Sequence, residues 1–389
     1  MLTIKKITIS LLTCLLLFLF IFCKEKTNHI TGGLKSNIQA EPGIRINTLL
    51  TNYDIIWGMD FLPNGDLLFT EKKGKIQRYS SGKVTEIIGV PVVNTNGQGG
   101  LLDIKVHPDY TKNGWIYCTY SGFDADKKGK LNLIRFKLSG NSITNVQTLL
   151  TTNSPNLWYG HYGSRIAFDR EGLLYVSIGE GGPSSYGGAR SPNMNAQNVK
   201  AEWGKIHRIT DDGKIPADNP VLPGNTAPAT VFSYGHRNPQ GLVFNSYTNE
   251  IWETEHGPRG GDEVNIIKKG KNYGWPLVSY GINYDGKPVS ASPLLNGVEP
   301  PIHTWTPSIA PCGMAIITGD KFKKWKGNML AGSLAYTHLT RCEIVNHKVV
   351  KETKMLTNIG RVRNVKMGPD GFIYVSVEGP GRILQLIPE

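Results

Sequence analysis

Six short segments of the 389-residue chain each set unusual polar side chains among glycines. Gln98 lies in NTNGQGGLLDIKVHPDY, His161 in YGHYGSRIAFD and Glu180 in SIGEGG. Arg237 and Asn238 lie in YGHRNPQGLVF, Gly257 and Pro258 in ETEHGPRGGDEVN, and Arg361 and Arg363 in GRVRNVKMGPDG. Histidine is the side chain that exchanges a proton near neutral pH, so His161 is the candidate proton carrier. Each segment taken singly has a plain structural explanation. Gly-rich turns join strands, a lone histidine is usually satisfied by structural hydrogen bonds, Asp262 and Glu263 can be turn acids, and arginines at strand ends bind backbone carbonyls. Recurrence changes that weighting, because the devices sit on loops beside strands of one repeating kind and so aim at one place.

The repeating unit is a turn with Asp, Asn or Gly followed by a short apolar and aromatic strand. It occurs as LPNGDLLFTE from Leu62, HPDYTKNGWIYCTY from His107, FDREGLLYVSIGE from Phe168, FNSYTNEIWETEH from Phe244, GDKFKKWKGNMLAGSL from Gly319 and MGPDGFIYVSVEG from Met367. A Gly- or Asn-bearing turn leading into a buried strand is the signature of a hairpin. Six such units at propeller-like spacing, with no long amphipathic helix after residue 41, predict an all-β, six-bladed propeller of four-stranded antiparallel blades. A sandwich would not repeat six times. A propeller must close its ring to remove open sheet edges, and the strands at Ile44 to Leu50 and Arg382 to Ile387 are placed to share one blade. Loops at one end of the central channel would then hold the chemistry.

The quoted segments resemble the soluble aldose and glucose dehydrogenases that use pyrroloquinoline quinone (PQQ), the glucose/sorbosone dehydrogenase family. GHRNPQGL, GQGGLLD with its following HPD, EHGPRGGDE and NYGWP carry the resemblance, which runs from about Leu49 to Ile387. It implies a six-bladed propeller and oxidation of an aldose at its anomeric carbon to a lactone, with hydride passing to a calcium-bound quinone. By position His161 matches the general base, and Glu180 stands where an aspartate orients it. Gln98 and Arg237 match groups at the reacting quinone oxygens, and Asn238 matches a further cofactor contact. Gly257 and Pro258 match the carbonyls that hold calcium, and Arg361 and Arg363 a pair that binds cofactor carboxylates. These assignments suit a flat tricarboxylate, which arginine forks grip, and a hard cation that prefers oxygen ligands. The chain departs from the pattern at Ala335, where the family carries a lysine for a cofactor carboxylate, and at Gly160, Cys312 and Asn364. Two other readings compete: a sugar-binding or adhesion propeller without catalysis, which the Ala335 departure supports, and a calcium-dependent sugar lactonase. The lactonase would need side-chain carboxylates converging on its metal.

Lys5 and Lys6 precede an apolar run from Ile7 to Phe22, which reads as an export signal over residues 1–22. Cys23 is placed for lipidation, although Phe22 before it is large for that cleavage. A plain cleaved signal and an uncleaved anchor are the alternatives. Residues 23–41 read as a polar tether, leaving residues 42–389 as one catalytic propeller in the periplasm or cell envelope. The net charge of +12 would suit nucleic acid, but no basic helix, Lys/Arg run or aromatic RNA-binding motif accompanies it. An anionic cofactor or lipid suits the charge equally. Cys118, Cys312 and Cys342 have neither disulfide-framework nor zinc spacing and are expected to be buried thiols. The expected partners are an aldose and an electron acceptor that the sequence does not identify, with no nucleic acid.

Overall fold

Each of the six turn-and-strand units folds as the first hairpin of a four-stranded antiparallel sheet. The computed structural model describes residues 43–182 and 186–389; the expected signal over 1–22 and tether over 23–41 lie outside the described residues, as do Cys14 and Cys23. Blade 1 comprises Ile56–Phe61, Leu67–Glu71, Lys75–Ser80 and Lys83–Ile87. Blade 2 comprises Leu101–Val106, Ile116–Phe123, Gly129–Ser139 and Ser142–Thr151. Blade 3 comprises Ile166–Phe168, Leu174–Ile178, Lys205–Ile209 and Val231–Tyr234. Blade 4 comprises Pro239–Asn245, Glu250–Glu255, Asp262–Ile267 and His303–Trp305. Blade 5 comprises Pro311–Ile316, Met329–Ser333, Leu339–Val345 and Lys348–Met355. Blade 6 comprises Arg361–Met367, Ile373–Glu378 and Gly381–Pro388, and is completed by Ile44–Tyr53.

The closure expected from the chain ends is present. Ile44–Tyr53 runs antiparallel to Gly381–Pro388, with Ile44 opposite Pro388 and Asn47 opposite Gln385. This pairing leaves no blade open between the ends of the chain. Three of the second strands, LLFTE, LYVSI and MLAGS, are buried along their whole length. A strand covered on both faces carries a continuous apolar run. Outer strands such as Ser142–Thr151 are largely exposed. At the blade 1 turn, Gly65 has φ of +91°, a conformation glycine takes without a Cβ clash.

One apolar cluster fills each junction between neighbouring blades. Leu68, Ile104 and Phe136 join blades 1 and 2, and Leu133, Val176 and Ile178 join blades 2 and 3. Ile206 and Leu242 join 3 and 4, Trp252 and Met329 join 4 and 5, Leu330 and Val375 join 5 and 6, and Phe69 with Ile383 joins 6 and 1. Cys118, Cys312 and Cys342 are buried free thiols, as expected.

The axis is held by Arg165, which is 3% exposed and touches every other blade. It pairs with Asp103 of blade 2 at 3.3 Å. It donates to the carbonyls of Trp57 (3.2 Å), Gln240 (2.8 Å) and Arg363 (2.7 Å), in blades 1, 4 and 6. Its Nη2 also lies 3.6 Å from Cys312 Sγ in blade 5, and its guanidinium stacks 4.0 Å from the Trp57 ring centroid. Arg165 and Asp103 line a cavity on one side of this crossing, together with Met59, Lys105 and Lys366. A second cavity lies on the other side, lined by Trp57, Gln240 and Arg363.

Candidate active site at one mouth of the channel

In an antiparallel blade the start of the first strand and the end of the second lie at the same end. The polar segments occupy these two positions. Gln98, His161, Arg237 and Asn238 come just before first strands, and Arg361 and Arg363 open the first strand of blade 6. Glu180 and Gly257 come just after second strands. The turns of the repeating unit therefore lie at the opposite end, and the expected convergence on one channel mouth is observed.

His161 has φ of +42°, a left-handed conformation that a non-glycine residue holds only when its surroundings impose it. Its N–H donates to Gln98 Oε1 at 3.1 Å, while the Gln98 N–H donates to Tyr159 O at 2.8 Å. Its Nδ1 lies 3.2 Å from Glu180 Oε1. The other carboxyl oxygen, Oε2, accepts from Trp275 Nε1 at 2.8 Å. Glu180 is 1% exposed. Burial pushes its pKa up to about 7, against the lowering pull of Arg237 and the Trp275 hydrogen bond. Burial first, and Arg237 second, hold the His161 imidazole well below its ordinary pKa. A neighbouring carboxylate would be expected to raise the histidine; burial and the guanidinium outweigh it. His161 is thus neutral near pH 7, with Nδ1 committed toward Glu180.

Arg237 and Asn238 are seated by a carboxylate, Glu255, that the sequence pattern did not single out. Its Oε2 accepts from the Arg237 N–H at 2.5 Å and from the Asn238 N–H at 3.3 Å. The Arg237 guanidinium lies 5.1 Å from the Trp275 ring centroid and donates from Nη1 to His256 O (3.0 Å) and Gly257 O (2.7 Å). The turn carrying Gly257 and Pro258 is braced by Asp262, whose Oδ1 accepts from the Gly257 N–H at 2.8 Å. Asp262 is therefore a turn acid, as expected. A Cβ on Gly257 would meet Gly260 O at 2.3 Å, so the turn closes only around glycine. Behind it, the potential ligand atoms of buried His236, Glu253 and Glu255 lie within 4.8 Å of one another, a metal-like spacing among the described residues. His236 Nδ1 already pairs with Glu255 Oε1 at 3.3 Å, and Asn265 Nδ2 donates to Glu253 Oε2 at 3.1 Å.

Beside this group is a cavity of about 350 Å³, at the small end of the ~300–1,000 Å³ range of small-molecule sites. Gln98, Asn238, Arg361 and Arg363 all line it, as do His256 and Ala335. Asn238 Oδ1 accepts from the Gly163 N–H (3.3 Å) and Gln240 Nε2 (3.0 Å), which fixes its amide. Arg361 Nε and Arg363 Nε share Glu378, at 2.8 Å and 2.6 Å. Burial would raise Glu378, but the two guanidiniums hold it below its usual pKa. His256 Nε2 lies 3.0 Å from Pro311 O, and burial followed by Arg237 pushes its pKa down to about 3. It is a neutral wall of the cavity. His161, Glu180, Arg237 and Gly257 adjoin the cavity through Gln98, Asn238 and His256 and do not line it themselves.

Known proteins share this arrangement of sequence and fold. Residues 53–385 match the family model described as glucose/sorbosone dehydrogenase. The aldose sugar dehydrogenase of Escherichia coli strain K12 is 37% identical over 366 residues, covering 91% of this chain and 96% of that protein. The crystal structure of the soluble E. coli aldose sugar dehydrogenase in its apo form superposes with a TM-score of 0.81 at 34% identity, over 89% of this chain and 100% of the other. The PQQ-bound aldose sugar dehydrogenase of Streptomyces coelicolor superposes with a TM-score of 0.70 at 28% identity, over 90% of this chain and 100% of the other. A family model that matches residues 53–385, nearly all of the propeller, shows that the chain belongs to the glucose/sorbosone dehydrogenase family.

Proposed function

We propose that this protein oxidises an aldose at its anomeric carbon to the lactone, using PQQ with calcium as the two-electron acceptor. The observation that carries the reading is a neutral histidine held against a buried carboxyl, beside a cavity whose wall bears the Arg361–Arg363 pair. The donor set fits the cofactor: guanidinium forks suit its carboxylates, and amides at Gln98 and Asn238 suit its ring oxygens. The Gly257 carbonyl is a hard oxygen of the kind calcium takes. Arg237 Nη1 donates to it, and a carbonyl oxygen has two lone pairs, so the Gly257 carbonyl, with that of Pro258, would remain able to hold the ion.

When bound, PQQ supplies the acceptor for the hydride that leaves C1. His161 takes the accompanying proton from the anomeric hydroxyl, so that two electrons and two protons' worth of hydrogen leave the sugar as its C1–O1 bond becomes a carbonyl. Once ionised, above its raised pKa of about 7, Glu180 accepts from Nδ1–H and so fixes the tautomer that leaves Nε2 as the accepting atom. Trp275 holds Glu180, and Glu255 holds the backbone of Arg237. Arg237 puts positive charge beside the reacting groups, where it opposes protonation of His161 in the resting enzyme. An inactive binding propeller would have no use for this coupled pair.

The test is steady-state oxidation of a panel of aldoses by protein loaded with calcium and PQQ, with a dye as acceptor. His161→Gln should load cofactor normally and lose roughly 100- to 10,000-fold in turnover. Near-normal turnover by that variant would refute the assignment. We also propose that the protein is exported, with Cys23 lipidated or the signal cleaved nearby. An intact Met1 in a cytosolic fraction would refute this.

A further inference from the structure

The family pattern sets a lysine where this chain has Ala335, yet the cavity wall has not lost its third cation. Blade 6 stands between blades 5 and 1, so its Arg361–Arg363 pair has a neighbour on each side. Ala335 follows the second strand of blade 5 and offers only a methyl group to the cavity. Lys72 follows the second strand of blade 1, on the other side of the pair, and lines the same cavity. Both positions lie at the same channel mouth, because both end second strands.

Resting on the PQQ reading above, we propose that Lys72 is a cofactor-binding residue that grips a carboxylate of PQQ from the blade 1 side, in the role that Ala335 cannot fill. The charge arrangement supports this. Arg361 and Arg363 share one carboxylate, Glu378, so together they offer a single net positive charge. Among the described residues no carboxylate is ion-paired with Lys72, whose Nζ donates to Thr95 O at 3.3 Å. An ammonium has three donors, so two remain for an anion. Partial burial, with the Arg363 and Lys73 charges nearby, holds the lysine below its ordinary pKa despite Asp54 and Glu378. An incoming carboxylate offsets that desolvation, and Glu378, the carboxylate already on the wall, is engaged by Arg361 and Arg363.

The same geometry explains why the departure at Ala335 is tolerated. Its backbone is occupied, with the Ala335 N–H donating to Ile309 O at 3.1 Å and Leu334 O accepting from Arg361 Nη1 at 3.1 Å. That segment therefore supports Arg361 through its main chain, and the small side chain keeps the cavity open on the blade 5 side.

The experiment is a titration of the calcium-loaded apoprotein with PQQ, followed by quenching of tryptophan fluorescence and by calorimetry. Lys72→Gln should weaken binding about tenfold or more, the usual loss for one charge-assisted contact. Lys72→Arg should stay near wild type, and Ala335→Lys should restore affinity to the Lys72→Gln background. The neutral trimethyl ester of PQQ should bind wild type and Lys72→Gln alike. Unfolding curves of the variants should overlay wild type, because Lys72 lies at the rim. Equal PQQ affinity of wild type and Lys72→Gln would overturn the assignment while leaving PQQ as the cofactor. Failure of wild type itself to bind PQQ would refute the proposed function, and this inference with it.

Discussion

Glu180 offers a quantitative handle on the site, because its burial makes stability depend on pH in an uncommon direction. Its pKa is raised to about 7 in the folded protein, against ~4.3 for a glutamate in an unfolded chain. Between those values the native state holds a proton that the unfolded state has released, so stability falls as pH rises. The fall begins near the unfolded pKa and is complete just above the folded one. At ~1.36 kcal/mol per pKa unit, the loss across that window is on the order of 3 kcal/mol. His161 acts in the opposite direction, since its folded pKa is depressed and its stabilisation grows as pH rises toward 6.5. Comparison with Glu180→Gln separates the two, because glutamine can still accept from Trp275 Nε1 and carries no proton to lose. Urea unfolding of both proteins at pH values from 4.5 to 8 gives the difference curve. Wild type should lose about 3 kcal/mol relative to Glu180→Gln across that range and none above pH 8. Parallel curves, or a wild type that gains relative stability with pH, would refute the account of a carboxyl kept protonated by burial.

Three further outcomes follow from the same contacts. Arg165→Met should destabilise the propeller by about 3–5 kcal/mol, since it strands the buried Asp103 carboxylate; thermal unfolding reads this, and an unchanged midpoint would deny Arg165 its role at the axis. Trp275→Phe keeps the ring beside Arg237 but removes the hydrogen bond to Glu180, so kcat should fall while cofactor affinity, measured by titration, holds. Chelation of calcium should abolish dye reduction, and calcium alone should restore it with the fold intact throughout by circular dichroism; activity that survives exhaustive chelation argues against an ion at Gly257 and Pro258.

The fold was legible in the sequence because its device is local. A turn such as PNGD or PDG and the strand after it are contiguous, and six copies fix the blade number without any knowledge of contacts. The candidate site was legible where a side chain sits in a glycine-flanked segment, as with His161, Arg237 and Arg363. Residues that act across the chain were not. Trp275 reaches Glu180 over 95 positions, and Arg165 reaches Arg363 over 198; no spacing within one segment announces either. Glu255 hid because ETEH reads as the end of an ordinary strand, and burial of both it and its partners became visible only in three dimensions. Lys72 hid for the converse reason: EKKGK has the look of a solvated hairpin tip, and only the placement of blade 1 next to blade 6 brings it to the cavity.

The crossing at Arg165 also makes the channel a blind well. With a guanidinium bonded to all five other blades, nothing the size of a sugar or a dye passes from one face to the other. On the proposed reading, sugar and electron acceptor must therefore use the same doorway and compete for it. The enzyme then works in alternation, discharging its lactone before the acceptor can come close enough to collect electrons. Crowding the doorway with sugar should slow turnover, and raising the acceptor concentration should relieve it.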